Sequence, residues 1–221
     1  AQKASLVNEV VIATDDKRIY DVVLGFGGNV VMTSPNHHSG TDRVAEVVKN
    51  LECDIVVNIQ GDEPLIPPEN IDLVIEPLLA RDDLSVSTLM IAIHKSSEML
   101  DPDICKVVVD NAGCALYFTR APIPYNRDFD YIEETYSDTK IDSNKRILGF
   151  KHIGIYAYKK SFLPQFINMK VSKLENSEKL EQLRILENRY LIQLVETKQN
   201  SIGVDRPEDI DKVIKAMNGK N

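Results

Sequence analysis

The chain has 221 residues, 43% of them hydrophobic and 27% charged, with a formal net charge of -8. That length is enough for one sizeable α/β domain with its own core, and the apolar and charged shares are those of an ordinary globular protein. The negative balance argues against a duplex nucleic-acid binder, which needs a clustered basic surface, and no run reaches the roughly 18 apolar residues of a membrane span. Small anionic substrates stay open, because a few Arg, Lys and Mg²⁺ can reverse the local field. Cys53, Cys105 and Cys114 show no CxxC spacing, so they read as buried free thiols in a reducing cytoplasm. The chain opens Ala1-Gln2-Lys3-Ala4, without an initiator Met and without a signal-peptide pattern, which leaves a removed leader open.

Taken in order, the predicted strands are Glu9–Thr14, Val30–Met32, Asp54–Gln60, Ser85–Ile93, Lys106–Val109, Cys114–Phe118, His152–Tyr158 and Leu191–Glu196. The predicted helices are Lys17–Phe26, Thr41–Leu51, Glu69–Arg81, Lys160–Met169, Ser177–Arg189 and Glu208–Met217. Continuous apolar runs such as Ile55-Val56-Val57-Asn58-Ile59 suit strands buried on both faces, as in a parallel sheet covered by helices. Strand and helix alternate over the first eighty residues, the βαβ rhythm of a doubly wound sheet. Pro122–Asn144 breaks it, being rich in Asp, Tyr, Glu and Ser without an apolar period, and reads as a long loop or insertion. One domain, residues 1–221, is expected.

Four segments can carry chemistry. In Val57-Asn58-Ile59-Gln60-Gly61-Asp62-Glu63-Pro64 a buried strand ends in an amide, a glycine and two carboxylates. Ligands of open α/β sheets bind outside the carboxyl ends of strands, and a carboxylate there can hold Mg²⁺; a plain turn after the strand explains the same residues. In Gly203-Val204-Asp205-Arg206-Pro207-Glu208, Asp205 reads on its own as a helix cap ahead of an early proline. Ser34-Pro35-Asn36-His37-His38-Ser39-Gly40-Thr41-Asp42-Arg43 opens a helix with small residues whose free N–H groups can face an anion or a base edge, or is a loop capped by Ser39 or Thr41. His37-His38 is no zinc pair, since adjacent loop side chains rarely converge. In Leu180-Glu181-Gln182-Leu183-Arg184-Ile185-Leu186 an apolar stripe leaves polar residues at the sides, an arrangement that by itself fits a solvated helix face.

Together and in order, these segments resemble the Kdo (3-deoxy-manno-octulosonate) cytidylyltransferase family. Val11-Ile12-Ala13-Thr14-Asp15-Asp16, Ala115-Leu116-Tyr117-Phe118-Thr119-Arg120-Ala121-Pro122-Ile123-Pro124, Lys151-His152-Ile153-Gly154-Ile155-Tyr156-Ala157-Tyr158 and Leu174-Glu175 through Arg184 extend the likeness over essentially the whole chain. Gln-Gly-Asp-Glu-Pro is shared with related nucleotidyltransferases, whereas His-x-Gly-Ile-Tyr and Leu-Glu-Gln-Leu-Arg are more particular to the Kdo enzymes. The resemblance implies a Rossmann-like fold of the nucleotide-diphospho-sugar transferase type, α/β with a mostly parallel sheet, a long inserted loop and a dimerisation embellishment. It implies that Asp62 and Asp205 are the Mg²⁺ carboxylates and the catalytic pair. Ser39 and Gly40, with Asp62, would bind the nucleotide, and Gln60, Arg120, His152, Tyr156, Glu181 and Gln182 the sugar acid. The implied reaction is attack of the anomeric hydroxyl of Kdo on the α-phosphorus of CTP, releasing pyrophosphate, in a cytoplasmic homodimer serving lipopolysaccharide synthesis. Positioning and charge neutralisation would dominate it, with a metal-lowered hydroxyl pKa in place of a protein base.

The resemblance also implies a strand and a loop of the type Pro-Ala-Arg-x-x-Ser-x-Arg-x-Pro-Gly-Lys before Ala1, with Ala1–Leu6 the remnant of the following helix. A protein made strictly as Ala1–Asn221 is therefore expected to bind CTP feebly, and the reading frame upstream of Ala1 is expected to encode that loop. Two alternatives stand beside this reading: another sugar-acid cytidylyltransferase, for sialic acid or an amino-substituted Kdo, and a non-catalytic nucleotide-sugar-binding homologue.

Overall fold

A computed structural model describes residues 1–37, 39–128, 146–200, 203–204 and 206–218. Its strands are β1 (Ile12–Thr14), β2 (Val30–Met32), β3 (Ile55–Asn58), β4 (Val86–Ile93), β5 (Lys106–Val109), β6 (Ala115–Thr119), β7 (Gly149–Lys159) and β8 (Ile192–Glu196). The α-helices are α1 (Lys17–Gly25), α2 (Gly40–Val48), α3 (Pro68–Ala80), α4 (Ser96–Leu100), α5 (Leu163–Ile167), α6 (Lys173–Glu178), α7 (Gln182–Glu187) and α8 (Asp209–Asn218). Helix starts follow local chemistry. Asp16 accepts from the Arg18 backbone N–H to cap α1, Ser39 accepts from that of Asp42 to cap α2, and a proline opens α3.

The main sheet runs β6-β5-β7-β4-β8, with β3 also on β7. β4 lines one edge of the long β7, pairing from Gly149 to Tyr158. β3 pairs Tyr156–Lys159 of β7 and β5 pairs Phe150 and Lys151, so these two strands share its other edge end to end. The α/β layering is the one expected, but the ladders are mixed. β3, β4, β5 and β8 point one way while β7 and β6 run against them. The reversal comes from the second half of the chain, where the βαβ rhythm no longer governs. β1 and β2 form a separate parallel pair, tied to α2 by the ion pair of Asp15 with Arg43 at 3.0 Å.

Alternation along the strands feeds two cores. Val56, Val86, Met90, Val107 and Tyr158 face α2, α5 and α7, packing with Phe162, Leu163, Phe166, Leu183 and Ile185. Leu89, Ile153, Ile155 and Ala157 face α3, packing with Ile71, Val74, Ile75 and Leu78. Among the described residues no helix is long and apolar enough to cross a membrane.

Four further expectations need correction. Ala1–Leu6, expected as the remnant of a helix, form turns and bends with no helix. The single helix predicted over Ser177–Arg189 is two, because Lys179 ends α6 in the left-handed region at φ 56 and the chain restarts in α7. Gln182 and Arg184 are buried rather than solvated, since Arg184 turns back to clasp Glu175 (Nε–Oε2 2.8 Å, Nη2–Oε1 2.5 Å). Cys53 is exposed, in the turn before β3, whereas Cys114 is buried and Cys105 is partly so. Of the predicted insertion Pro122–Asn144, residues 129–144 lie outside the described residues.

The Glu175–Arg184 pair is a fold element with a measurable share of stability. Glu175 also completes a capping box with Ser172 at the start of α6, and the two paired side chains are only 12% and 10% exposed. Glu175→Ala would take away the two-pronged partner of a buried guanidinium, leaving it Glu181 at 3.9 Å and the Met169 carbonyl at 3.4 Å, so we expect it to cost about 3 kcal/mol, the lower end for a broken buried pair, in denaturant unfolding. The double variant Glu175→Ala/Arg184→Met should recover most of that loss. A loss below about 1 kcal/mol would assign the pair the value of a surface ion pair.

Candidate functional site

The site grows from the two-strand edge of β7. β3 ends at Asn58, opposite Tyr156, and β5 starts at Lys106, opposite Lys151. Residues 152–155 of that edge therefore face no strand, and His152 donates its backbone N–H to the Cys105 carbonyl at 2.9 Å. Into this gap runs the carboxyl end of β3, carrying Gln60, Gly61 and Asp62. The register of β4 on β7 shifts between Thr88 and Leu89, leaving Gly154 and Ile155 as extra residues. Asn58, Tyr156, Thr88 and His152 consequently lie on one face of the sheet, beneath α2 and α7.

Polar contacts lace that face together. Thr41 donates its hydroxyl to Glu181 Oε2 (2.8 Å) and accepts from Asn58 Nδ2 (3.4 Å). Gln60 Nε2 donates to Asn58 Oδ1 at 3.2 Å. Gln60 also lies against the loop before α2, where a Cβ on Gly40 would come within 3.0 Å of Gln60 Oε1; glycine is what lets the amide and the loop meet. Ser39 and Gly40, expected at the nucleotide, are thus joined through Thr41, Asn58 and Gln60 to Glu181, expected at the sugar acid. Ser39 itself caps α2, and His37 pairs with Glu46; His38 lies outside the described residues.

Residues expected to hold the sugar acid gather around Cys105. Gln182 Nε2 reaches Cys105 Sγ at 3.8 Å. Burial pushes that thiol up to about 12, against the opposing pull of the nearby Arg120 and Lys106 charges. The rings of His152 and Tyr156 sit 5.2 Å apart, with Phe118 edge-on to His152 at 5.3 Å. The Tyr156 hydroxyl is buried and has no hydrogen-bond partner among the described residues; burial first, then Tyr158, Cys105 and Glu181, raise its pKa well above the usual phenol value. Such an orphaned polar atom is costly unless a ligand supplies its partner.

Arg120 is held from behind. Its Nε donates to the Glu178 carbonyl (2.9 Å) and Nη1 to the Pro102 carbonyl (3.0 Å), while Nη2 has no hydrogen bond among the described residues. The Glu178 carboxylate accepts from Thr119 Oγ1 (2.7 Å) and from the Arg120 N–H (2.9 Å). Burial raises the pKa of that carboxyl, but the Arg120 N–H, Thr119 and Tyr117 together outweigh it and the net shift is downward. A guanidinium so fixed, with a free nitrogen, suits a carboxylate.

Asp62 is exposed on the turn after β3, and its carbonyl accepts from the Val204 N–H at 2.8 Å. The residue before Asp205 is therefore pinned to Asp62, although Asp205 itself lies outside the described residues. α8 begins at Asp209. Beside the Asp62–Val204 contact Glu63 Oε2 is buried and has no partner among the described residues. Sequence reasoning missed Thr41, Asn58, Thr88, Cys105 and Glu178. The available signal was a polar residue inside an apolar strand, as at Thr88 and Asn58.

Burial holds the His152 imidazole down to about 3, whereas in the unfolded chain the ring takes up a proton below about 6.5. The unfolded state binds more protons between those values, so stability falls as pH drops through that window, by about 1.4 kcal/mol per unit for one full proton. We expect His152→Asn to flatten the acid limb of unfolding free energy between about pH 6 and 4. An unchanged limb would put the ring in a water-like setting.

The comparisons with known proteins fit this geometry. The family model described as cytidylyltransferase matches residues 1–197. A 3-deoxy-manno-octulosonate cytidylyltransferase of Geotalea daltonii is 50% identical over 217 residues, 97% of this chain and 83% of the relative. The enzyme of that description from Geobacter metallireducens is 48% identical over the same shares. A solved structure of CMP:2-keto-3-deoxy-manno-octonic acid synthetase complexed with CTP superposes with a TM-score of 0.87 at 37% identity, covering 100% of this chain and 85% of that one. A site assembled from the end of β3, the loop into α2, the turn before α7 and the open edge of β7 is thus one carried on a shared fold, and the chain belongs to the 3-deoxy-manno-octulosonate cytidylyltransferase family.

Proposed function

We propose that the protein transfers CMP from CTP to the anomeric hydroxyl of Kdo, giving CMP-Kdo and pyrophosphate. The observation that carries this reading is the grouping around Cys105 of Arg120, an arginine with an open nitrogen, with His152, Tyr156 and Gln182, and with Glu181 linking them to the Ser39-Gly40 loop. The division of labour is chemical. Arg120 takes the sugar carboxylate, while His152, Tyr156, Glu181 and Gln182 hydrogen-bond the polyol. Gln60, packed on Gly40, stands where the two substrates meet, and Ser39 and Gly40 offer small groups to the base.

Asp62 and Asp205 would hold Mg²⁺. The donor set suits it: an exposed carboxylate and a buried Glu63 oxygen, neither with a side-chain partner among the described residues, beside the clasp of Asp62 to Val204. Mg²⁺ needs only one or two carboxylates and keeps several waters. When bound it supplies charge neutralisation for the triphosphate. Glu181 is already committed to Thr41 and His152 is held neutral, so neither residue is placed to act as a strong base, and the chain's own contribution is orientation and desolvation.

The reading extends to a cytoplasmic homodimer feeding lipopolysaccharide synthesis; three unpaired cysteines suit the reducing compartment alone, and sedimentation equilibrium checks the dimer. The reaction itself is tested by ³¹P NMR on protein expressed from its complete reading frame, with CTP, Mg²⁺ and Kdo. The expected result is loss of the CTP signals and growth of one phosphodiester and one pyrophosphate signal. Release of CDP and phosphate instead would overturn it.

A further inference from the structure

Thr88 has no place in the reading above, yet its hydroxyl is the most crowded polar atom of the face. It lies 2.6 Å from the Ile155 carbonyl, 3.2 Å from the Ile153 carbonyl and 2.9 Å from His152 Nε2, and the residue is fully buried. Ile155 is one of the two extra residues of β7, where β4 offers no ladder N–H, so its carbonyl finds its donor in Thr88.

A hydroxyl has one proton. Carbonyls only accept, so the proton belongs to Ile155; turned toward the ring, it would leave two oxygens facing at 2.6 Å with no hydrogen between them. Nε2 must then be the donor, and in a neutral imidazole Nδ1 is the bare acceptor. Burial keeps the ring neutral, so the question of tautomer holds across the working pH range. No described residue hydrogen-bonds Nδ1.

We propose that Thr88 is a positioning residue that fixes His152 as the Nε2–H tautomer, so that Nδ1 is offered as an acceptor to a hydroxyl of the sugar acid. The second half rests on the reading of His152 as a sugar residue; the first does not. The consequence for specificity is that His152 recognises an O–H and repels a carboxylate, leaving the acid group to Arg120. A sugar acid deoxygenated or methylated at the recognised hydroxyl loses that contact.

The test is long-range ¹H–¹⁵N correlation of the imidazoles in uniformly ¹⁵N-labelled full-length protein at neutral pH. The sequence described has four histidines, and the His152 signals are those lost in His152→Asn. The expected spectrum shows a protonated Nε2 and an unprotonated Nδ1, and Kdo added without CTP moves the Nδ1 resonance. Thr88→Val should make the two nitrogen shifts converge as tautomers mix, and should raise KM for Kdo about five- to tenfold, the loss expected for one hydrogen bond, with KM for CTP unchanged. Thr88→Ser keeps the hydroxyl and should restore both. A protonated Nδ1 in the unaltered protein overturns the proposal even if Thr88→Val fails to fold, and so does an unmixed tautomer in a folded Thr88→Val. An Nε2–H ring whose Nδ1 ignores Kdo would overturn the acceptor role and remove His152 from the sugar pocket, while leaving Thr88 as the residue that sets the tautomer.

Discussion

Asp62→Asn should lower kcat by about 10²–10³-fold, the scale of losing a group that stabilises charge developing at a phosphoryl centre. The fold should scarcely notice. Asp62 is exposed on a turn, has no side-chain partner among the described residues, and holds the 203–204 segment through its backbone carbonyl, which the substitution keeps. Unfolding free energy is therefore expected within about 0.5 kcal/mol of the parent. Asp205→Asn should lose activity likewise. The two changes made together should cost little more than either alone, because groups sharing one ion act as a unit. Mn²⁺ bound in place of Mg²⁺ gives an activity-independent readout: electron paramagnetic resonance should show weaker binding in both variants. Normal turnover in either variant would remove that residue from the metal site.

Replacing Arg120 should separate the substrates. Charge-assisted hydrogen bonds contribute about 1.5–3 kcal/mol, so Arg120→Lys, which keeps charge but loses the planar fork, should raise KM for Kdo about 10- to 100-fold. KM for CTP should stay within about twofold. Arg120 also serves the carbonyls of Pro102 and Glu178, so thermal unfolding must be followed alongside the kinetics. Glu178→Gln is a second probe: it weakens the bracket that holds the Arg120 backbone without touching the guanidinium's free nitrogen, and should shift KM for Kdo in the same direction by less. Equal losses for both substrates would place Arg120 in the nucleotide site or in the fold.

Most strands were legible because burial on both faces writes a continuous apolar run, as in Ile55–Ile59 and Ser85–Ile93. The sheet's order was not. Nothing local says that β7 inserts between β4 and β3, since that follows from pairings made by distant residues such as Thr88 and Tyr156. The α6–α7 break was hidden for a related reason: the stripe of Leu180, Leu183 and Leu186 carries the helical period of α7 back to the break, while the left-handed Lys179 carries no glycine to mark the turn. In the site, residues at chain ends of elements were readable as chemistry, because Gln60-Gly61-Asp62 follows a strand and Ser39-Gly40 opens a helix. The supporting residues were not. Thr41 reaches Glu181, and Glu178 reaches Arg120, only once the chain has folded, and each on its own looks like an ordinary helix residue. The reading of Asp205 as a helix cap falls outside the described residues.

The central claim is that this face accepts Kdo and joins it to CMP. It is tested most directly by initial rates of pyrophosphate release from CTP and Mg²⁺ with protein expressed from its complete reading frame, comparing Kdo, amino-substituted Kdo and sialic acid at equal concentration. The account predicts release that depends on the sugar acid, with kcat/KM for Kdo the highest of the three. A higher value for either of the other acids, or binding of CTP and Kdo without any pyrophosphate, would contradict it.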